Sequence, residues 1–402
     1  MNRVVNLPES NSFFMFGARA TGKTWLLRKR LPEGSTIFID LLSPKDYDRY
    51  SRSPSSLSEL LATLPEHGEF WIVVDEVQKA PALLDVVHLE IEAHRRSAEG
   101  VTDERPAKRK VSFALTGSSA RKLKRGRANL LAGRALVRNL FPLVHQEFED
   151  SFCLSQVLQW GSLPGIATTE SAELRAELLG AYVHTYLKEE ILAEQLAREA
   201  PPFRKFLECA AQSNGEITNY SSIAREVGVS ANTVQSYYQI LEDTLLGYRV
   251  FPYHRSIRKR QRVGPKMYLF DCGVVRTLLG LQDQAVLPSS YGYGRAFEHF
   301  IFLEMYRWSS YNQKNYEFCY LQTKDKLEID FIIERPGMPL ALVEIKSAER
   351  VHDQQLRAMR SVQKDFSKAE FFVLCRETQP RMVEGIHILP WQEGLYALGL
   401  AR

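Results

Sequence analysis

Cysteine is sparse in this sequence and follows no pattern. Among 402 residues there are five, Cys153, Cys209, Cys272, Cys319 and Cys375, with no C-x-x-C step and no Cys/His spacing that suits zinc. That argues for a reducing compartment and against a structural zinc site. Long apolar runs are also missing. Nowhere do the ~20 uninterrupted apolar residues of a membrane span occur, and residues 1–9 lack the basic stretch and apolar core of a leader. The expected location is therefore cytoplasmic, with no membrane partner. Charge of one sign is scarce: 52 Lys and Arg against 48 Asp and Glu leave a net +4, too little to name a partner. No repeat period and no low-complexity run is present. The remaining composition is that of ordinary globular protein, with 45% hydrophobic and 25% charged residues. At about 100–200 residues per domain, the length predicts two to four domains.

The most specific signal is an apolar run, 13–16, that leads directly into Gly17-Ala18-Arg19-Ala20-Thr21-Gly22-Lys23-Thr24 and then a helix-prone stretch. The spacing G-x-x-x-x-G-K-T has a mechanical reason. Glycines let backbone N–H groups curl around phosphates, Lys23 reaches the outer phosphates, and Thr24 ligates Mg²⁺. A helix start adds partial positive charge. A second unbroken apolar run, 70–74, ends in Asp75-Glu76. Asp75 is expected to hold Mg²⁺ through water, and Glu76 to polarise the attacking water. A further strand, 111–115, ends in Thr116-Gly117-Ser118-Ser119, with Ser118 or Ser119 as the γ-phosphate sensor. Strands at 13–16, 37–41, 70–74 and 111–115 alternate with helical stretches, which predicts a parallel α/β sheet. The basic run 121–127 and Arg134 follow. A solvated face and a functional role compete for Lys122 and Lys124. Arg134 is the candidate to reach a neighbour's γ-phosphate in trans, worth ~10³–10⁵ in rate, with Arg127 and Arg138 as the fallbacks. That role needs a homo-oligomer, a ring with six subunits as one option and its size left open.

The segments GARATGKT (17–24), VVDEVQK (73–79), LTGSS (115–119) and LAGR (131–134) resemble the bacterial and archaeal AAA+-like ATPases (AAA_14) that carry a C-terminal DUF4143 domain. GSLPG (161–165) and YVHTYLKEEI (182–191) extend the resemblance, with Ser162 where the family has a second glycine and Glu190 where it has Asp. The resemblance implies a P-loop ATPase binding ATP and Mg²⁺ and names no substrate.

From 201 the sequence turns helical. Residues 218–241 read as a helix, a turn at Gly228 and a second helix capped by Ser230, with Asn232, Thr233, Gln235, Ser236 and Gln239 free to face outward. Residues 248–252 read as a wing strand. Between 254 and 266 stand Arg255, Arg258, Lys259, Arg260, Arg262 and Lys266 without one acid. DNA phosphates are the expected partner of this strip, against the competing reading of a protein-docking module or lid.

In the last third, a helix near Glu298 carries Phe297, Ile301, Met305 and Trp308 on one face, and strands follow through Asp330 and Glu344-x-Lys346. This order resembles the PD-(D/E)XK nucleases. In that reading Glu298, Asp330 and Glu344 hold Mg²⁺ or Mn²⁺ and Lys346 orients water or stabilises charge. The competing reading is a cross-strand ion pair at a sheet edge.

The expected fold is α/β in four parts: a P-loop parallel-sheet ATPase domain over 1–150, a helical connector over 151–200, a winged-helix middle domain over 201–275 and a nuclease-like α/β domain over 276–402. The expected function is an ATP-hydrolysing oligomeric motor that remodels, unwinds or branch-migrates DNA, with metal-dependent cleavage by the last domain as an option. The alternative is an ATP-gated regulatory or defence switch that binds a protein partner.

Overall fold

The computed structural model describes residues 2–98, 109–118, 131, 133–186, 200–254, 264–288, 290–323 and 327–401. The chain forms two compact units, one of Val5–Phe141 with Asp243–Leu245, the other of Met1–Val4, Pro142–Glu242 and Leu246–Arg402. Among the described residues no helix is long and apolar enough to cross a membrane.

The first unit is built on five parallel strands: β1 (Phe13–Phe16), β2 (Thr36–Asp40), β3 (Gly68–Asp75), β4 (Arg109–Gly117) and β5 (Leu136–Asn139), in the order β2-β3-β4-β1-β5. The apolar runs show no alternation because helices cover both faces. All four residues of β1 are buried. Phe14, Phe16, Ile72, Val74, Phe113 and Leu115 share a core with Tyr50, Leu57, Leu61, Leu83 and Val87 from the helices. The fifth strand was not expected. Its Leu136 and Val137 are exposed, so this edge strand has no buried run to announce it. The registers Phe16↔Gly117 and Asp40↔Asp75 bring the carboxyl ends of β1 to β4 to one edge.

In the second unit one sheet spans the expected break at 275/276. The strands β6 (Gly247–Pro252) and β7 (Lys266–Leu269), read as a wing, join β8 (Glu317–Gln322), β9 (Glu328–Glu334), β10 (Ala341–Ile345), β11 (Glu370–Cys375), β12 (Arg381–Val383) and β13 (Ile386–Pro390) in one mixed sheet, β12-β13-β11-β10-β9-β8-β6-β7. Pairing of Phe251 with Cys319 makes the joint, because an unpaired edge of β8 would leave its backbone groups unsatisfied. By contact the two units divide at 141/142, near the expected boundary at 150. Residues from Pro142 onward belong here, and so does Arg3, whose Nε donates to the buried Glu147 at 3.0 Å.

Helices Tyr220–Val227 and Ala231–Asp243 flank a left-handed turn at Gly228, and Ser230 Oγ accepts the Thr233 N–H at 3.1 Å. Tyr237 and Tyr238 are buried against Phe206. The 21-residue helix Tyr291–Tyr311 is buried on more than its expected face, with His299, Glu304 and Arg307 inside. Each has partners. Arg307 donates to Leu143 O at 2.8 Å, Ser162 Oγ at 2.9 Å and Phe270 O at 2.8 Å. Glu304 binds His145 Nδ1 at 2.6 Å. His299 Nε2 donates to Leu269 O at 2.5 Å, and burial pushes its pKa down to about 4. Ser162 also donates its N–H to the buried Asp271 at 2.7 Å, so the GSLPG segment has a packing role.

Candidate functional site

The chain leaves β1 at Phe16 and turns at Gly17 into a loop that ends at the N-cap Gly22 of helix Lys23–Arg30. Position 17 must be glycine because of close approach: a Cβ there would lie 2.3 Å from Leu140 O and 3.0 Å from Thr21 Oγ1. Gly22 has φ +89 and offers no side-chain cap, so the first-turn N–H groups stay available to an anion. The loop is folded on itself. Lys23 is buried and its Nζ donates to Gly17 O at 2.8 Å and Ala18 O at 3.2 Å, while Thr21 Oγ1 donates to Ala18 O at 2.8 Å. Phosphate oxygens are the natural replacement for those carbonyls, since an ammonium gains more from an anionic acceptor.

The end of β3 stands against this loop. Asp75 and Glu76 are only 6% and 8% exposed. One Asp75 oxygen accepts Thr24 Oγ1 at 2.5 Å, the other accepts Thr116 Oγ1, and Thr116 Oγ1 in turn accepts the Glu76 N–H at 3.1 Å. Two hard oxygen ligands already in contact suit Mg²⁺, which would enter between Thr24 and Asp75. Glu76 has φ 58 and ψ 47, a left-handed conformation that costs on the order of 1 kcal/mol outside glycine. It aims the carboxylate at Gln78, whose Nε2 donates both to Glu76 Oε2 and, at 3.3 Å, to Ser118 Oγ. The structure thus brings together Gly17 to Thr24, Asp75, Glu76 and Ser118. Thr116 and Gln78 complete the set. Sequence reading put Thr116 at this edge without a role and gave Gln78 none. Its only signal is an amide two residues past a strand-end acid.

Arg134 stands elsewhere. It precedes β5, and the pairing Phe13↔Leu136 sets it at the amino edge of the sheet, the end opposite Gly17. Its Nε pairs with Glu92 of helix Leu83–Ala98. Arg138 donates to Asn6 O at 3.1 Å, and Arg127 lies outside the described residues.

In the second unit, Glu298, Asp330, Glu344 and Lys346 interact electrostatically. Among the described residues, however, no three His, Cys, Asp or Glu side chains are grouped to hold a metal. Each residue of the expected ligand trio also has a protein partner. Glu298 accepts the Tyr268 hydroxyl at 2.7 Å, Asp330 accepts the Ile345 N–H at 2.7 Å, and Glu344 binds Lys346 Nζ at 2.6 Å. A second ammonium intrudes: Lys266, expected in the cationic strip, is buried and pairs with Glu328. Two lysines, Lys346 and Lys266, thus stand among these acids. Burial and the neighbouring Asp330 push Glu298 up to about 7 and Glu344 up to about 8. Lys346, although burial alone would lower it, is held above its ordinary pKa by Asp330 and Glu344. Lys266, Tyr268, Arg295, Glu298 and Glu328 border a polar cleft of about 420 Å³ that also takes in Asn214 to Ile217.

Arg255, Arg258, Lys259, Arg260 and Arg262 lie outside the described residues. On helix Ala231–Asp243, Asn232, Gln235 and Ser236 are exposed, whereas Gln239 is taken by Arg249 at 2.5 Å.

Comparison with known proteins divides the chain into three matched segments. The AAA domain family matches residues 9–149, and two domains of unknown function, DUF8612 and DUF4143, match 152–285 and 293–393. An uncharacterized protein of Mycobacterium tuberculosis is 26% identical over 358 residues, covering 89% of this chain and 75% of that protein. One of Haemophilus influenzae is 21% identical over 305 residues, covering 70% and 72%. Among solved structures, the Aeropyrum pernix ORC2 protein in ADPNP-ADP complexes overlaps at a TM-score of 0.37 with 12% identity, over 68% of this chain and 87% of that one. A STAND ATPase with a tetratricopeptide repeat sensor from Pyrococcus horikoshii overlaps at 0.20 with 14% identity, over 75% and 45%.

Proposed function

From a chain that carries an AAA domain ahead of a DUF4143 domain, we propose a Mg²⁺-dependent ATPase that works as an oligomeric motor on DNA, remodelling, unwinding or migrating branches. One observation carries hydrolysis: Lys23, Thr24, Asp75 and Glu76 meet at the carboxyl edge of the sheet. Lys23 exchanges loop carbonyls for phosphate oxygens. Thr24 would hold Mg²⁺ directly and Asp75 through water, and the bound ion would supply neutralisation of phosphate charge. Glu76 orients the attacking water and takes its proton. The test is ATP turnover with and without single-stranded, duplex and four-way DNA. Lys23→Ala should lose nucleotide binding, and Glu76→Gln should bind and not hydrolyse. Normal turnover in Glu76→Gln refutes the assignment.

DNA contact rests on the five cations Arg255, Arg258, Lys259, Arg260 and Arg262. If each neutralises one phosphate, the log–log salt slope is about −4.5, from about −0.9 per contact. Reversing Arg258, Lys259 and Arg260 to Glu should weaken all sequences alike. Affinity that survives reversal and ignores salt removes DNA from the reading. Metal-dependent DNA cleavage by Asp330, Glu344 and Lys346 is a further part of this proposal, and cutting that is absent with Mg²⁺ or Mn²⁺, or that survives Lys346→Ala, removes it.

A specific observation favours a second reading, an ATP-gated switch on a protein partner. Glu76 is engaged by Gln78, an arrangement suited to slow turnover. Slow hydrolysis that no DNA stimulates decides for the switch.

A further inference from the structure

The Gln78 side chain is 6% exposed and bonds to both Glu76 and Ser118. Its single NH₂ carries two hydrogens, one directed to Glu76 Oε2 and one to Ser118 Oγ at 3.3 Å. Its Oε1 is buried and finds no hydrogen-bond partner among the described residues. That oxygen sits where a Cβ on residue 117 would be 2.6 Å away, so it occupies a slot that exists only because residue 117 is glycine. A buried amide with an unmet acceptor is costly unless its position matters. The opposite orientation would set Oε1 against the Glu76 carboxylate, two acceptors face to face, so the NH₂ is fixed toward Glu76.

We propose that Gln78 is a positioning residue that couples the Ser118 hydroxyl to the Glu76 carboxylate, so that water activation follows what Ser118 binds. The proposal rests on the ATPase reading above and deepens it. Because the amide is planar and its oxygen is confined, the NH₂ cannot follow one partner without shifting relative to the other. When Ser118 turns its hydroxyl to a terminal phosphate oxygen, the shared amide moves with it and carries the carboxylate toward the water. Without that phosphate the amide keeps Glu76 parked. Asp75 and Thr24 take no part in the Gln78 bonds; Asp75 reaches Glu76 only through Thr116 and the chain itself.

The test uses the full chain and three variants, Gln78→Met, Ser118→Ala and the double. Methionine keeps length and volume, removes both N–H bonds and also removes the unmet oxygen. Two quantities are read: kcat for ATP, and the affinity for a non-hydrolysable ATP analogue. For Gln78→Met the expected result is a kcat lower by about tenfold or more with analogue affinity within about threefold. That split separates a positioning role from a fold defect, which would lower both. Ser118→Ala should also lose kcat. In the double variant the losses should not multiply, because both substitutions cut one link. Wild-type kcat in Gln78→Met, or losses that multiply in the double, overturns the coupling. Hydrolysis absent from the unaltered protein, or insensitive to Glu76→Gln, overturns the ATPase reading and the coupling together. Hydrolysis lost in Glu76→Gln but untouched by Gln78→Met overturns the coupling alone.

Discussion

Replacing Gly17 by alanine adds one methyl group at the tightest point of the phosphate loop. The ideal Cβ lies 2.3 Å from Leu140 O, about 1 Å inside the ~3.3 Å of a close carbon–oxygen contact. Relief requires backbone motion, since both sides are anchored. Leu140 N donates to Phe16 O at 2.7 Å, and Gly17 N donates to Gly117 O at 3.3 Å. Overpacking of this kind costs ~1–3 kcal/mol, and weakening one backbone hydrogen bond adds ~1 kcal/mol. A total of ~3 kcal/mol corresponds to a drop of about 6–12 °C in Tm for a unit of this size. Displacing the loop by a comparable amount should also weaken nucleotide binding by about tenfold or more, because the N–H groups no longer converge on one phosphate. Calorimetry of the nucleotide-free protein and titration with a non-hydrolysable ATP analogue measure the two effects. Gly34→Ala is the control: nothing lies within 4 Å of its would-be Cβ. A Gly17→Ala protein that melts within about 1 °C of the unaltered chain and binds the analogue equally well refutes the close-approach argument.

Arg134→Ala should leave analogue affinity unchanged, since Arg134 stands at the sheet edge opposite the loop. If it acts in trans, its turnover should fall only at concentrations where the protein assembles, and a loss that persists in the monomer excludes the trans role. Between pH 6.5 and 8 stability should fall as pH rises. Glu298 and Glu344, held up near 7 and 8, keep protons that the unfolded chain, titrating near 4.5, has released. Below 6.5 the lowered pKa of His299 acts in the opposite sense. The decline should be on the order of 1–2 kcal/mol in urea unfolding and largely vanish in Glu344→Gln, and a flat profile rules it out. Arg307→Met should destabilise the second unit by about 3–5 kcal/mol, because three acceptors lose a buried cation, and Arg307→Lys should not restore all three. Wild-type melting in Arg307→Met contradicts it.

Local sequence determined the nucleotide loop and the strand-end acids of this protein. A strand, a glycine loop and a helix form from neighbouring residues, and a buried parallel strand shows itself as an unbroken apolar run, so Gly17 to Thr24 and Asp75-Glu76 are readable without a fold. β5 was not readable, because an exposed edge strand has no apolar run. Tertiary structure alone decided the rest. It merged β6 and β7 with β8 through pairing between residues far apart in sequence, across the expected break at 275/276. It moved Lys266 from a cationic strip into a buried cluster with Glu328, since the charge of a lysine says nothing about where the backbone carries it. It gave Glu298, Asp330 and Glu344 a tyrosine, a backbone N–H and a lysine as partners. It also placed Gln78 between Glu76 and Ser118, a contact set by the packing of β3 beside β4. Periodicity and spacing report what a residue's neighbours in the chain allow, whereas partners for buried charge and amide groups are chosen by which strands lie side by side.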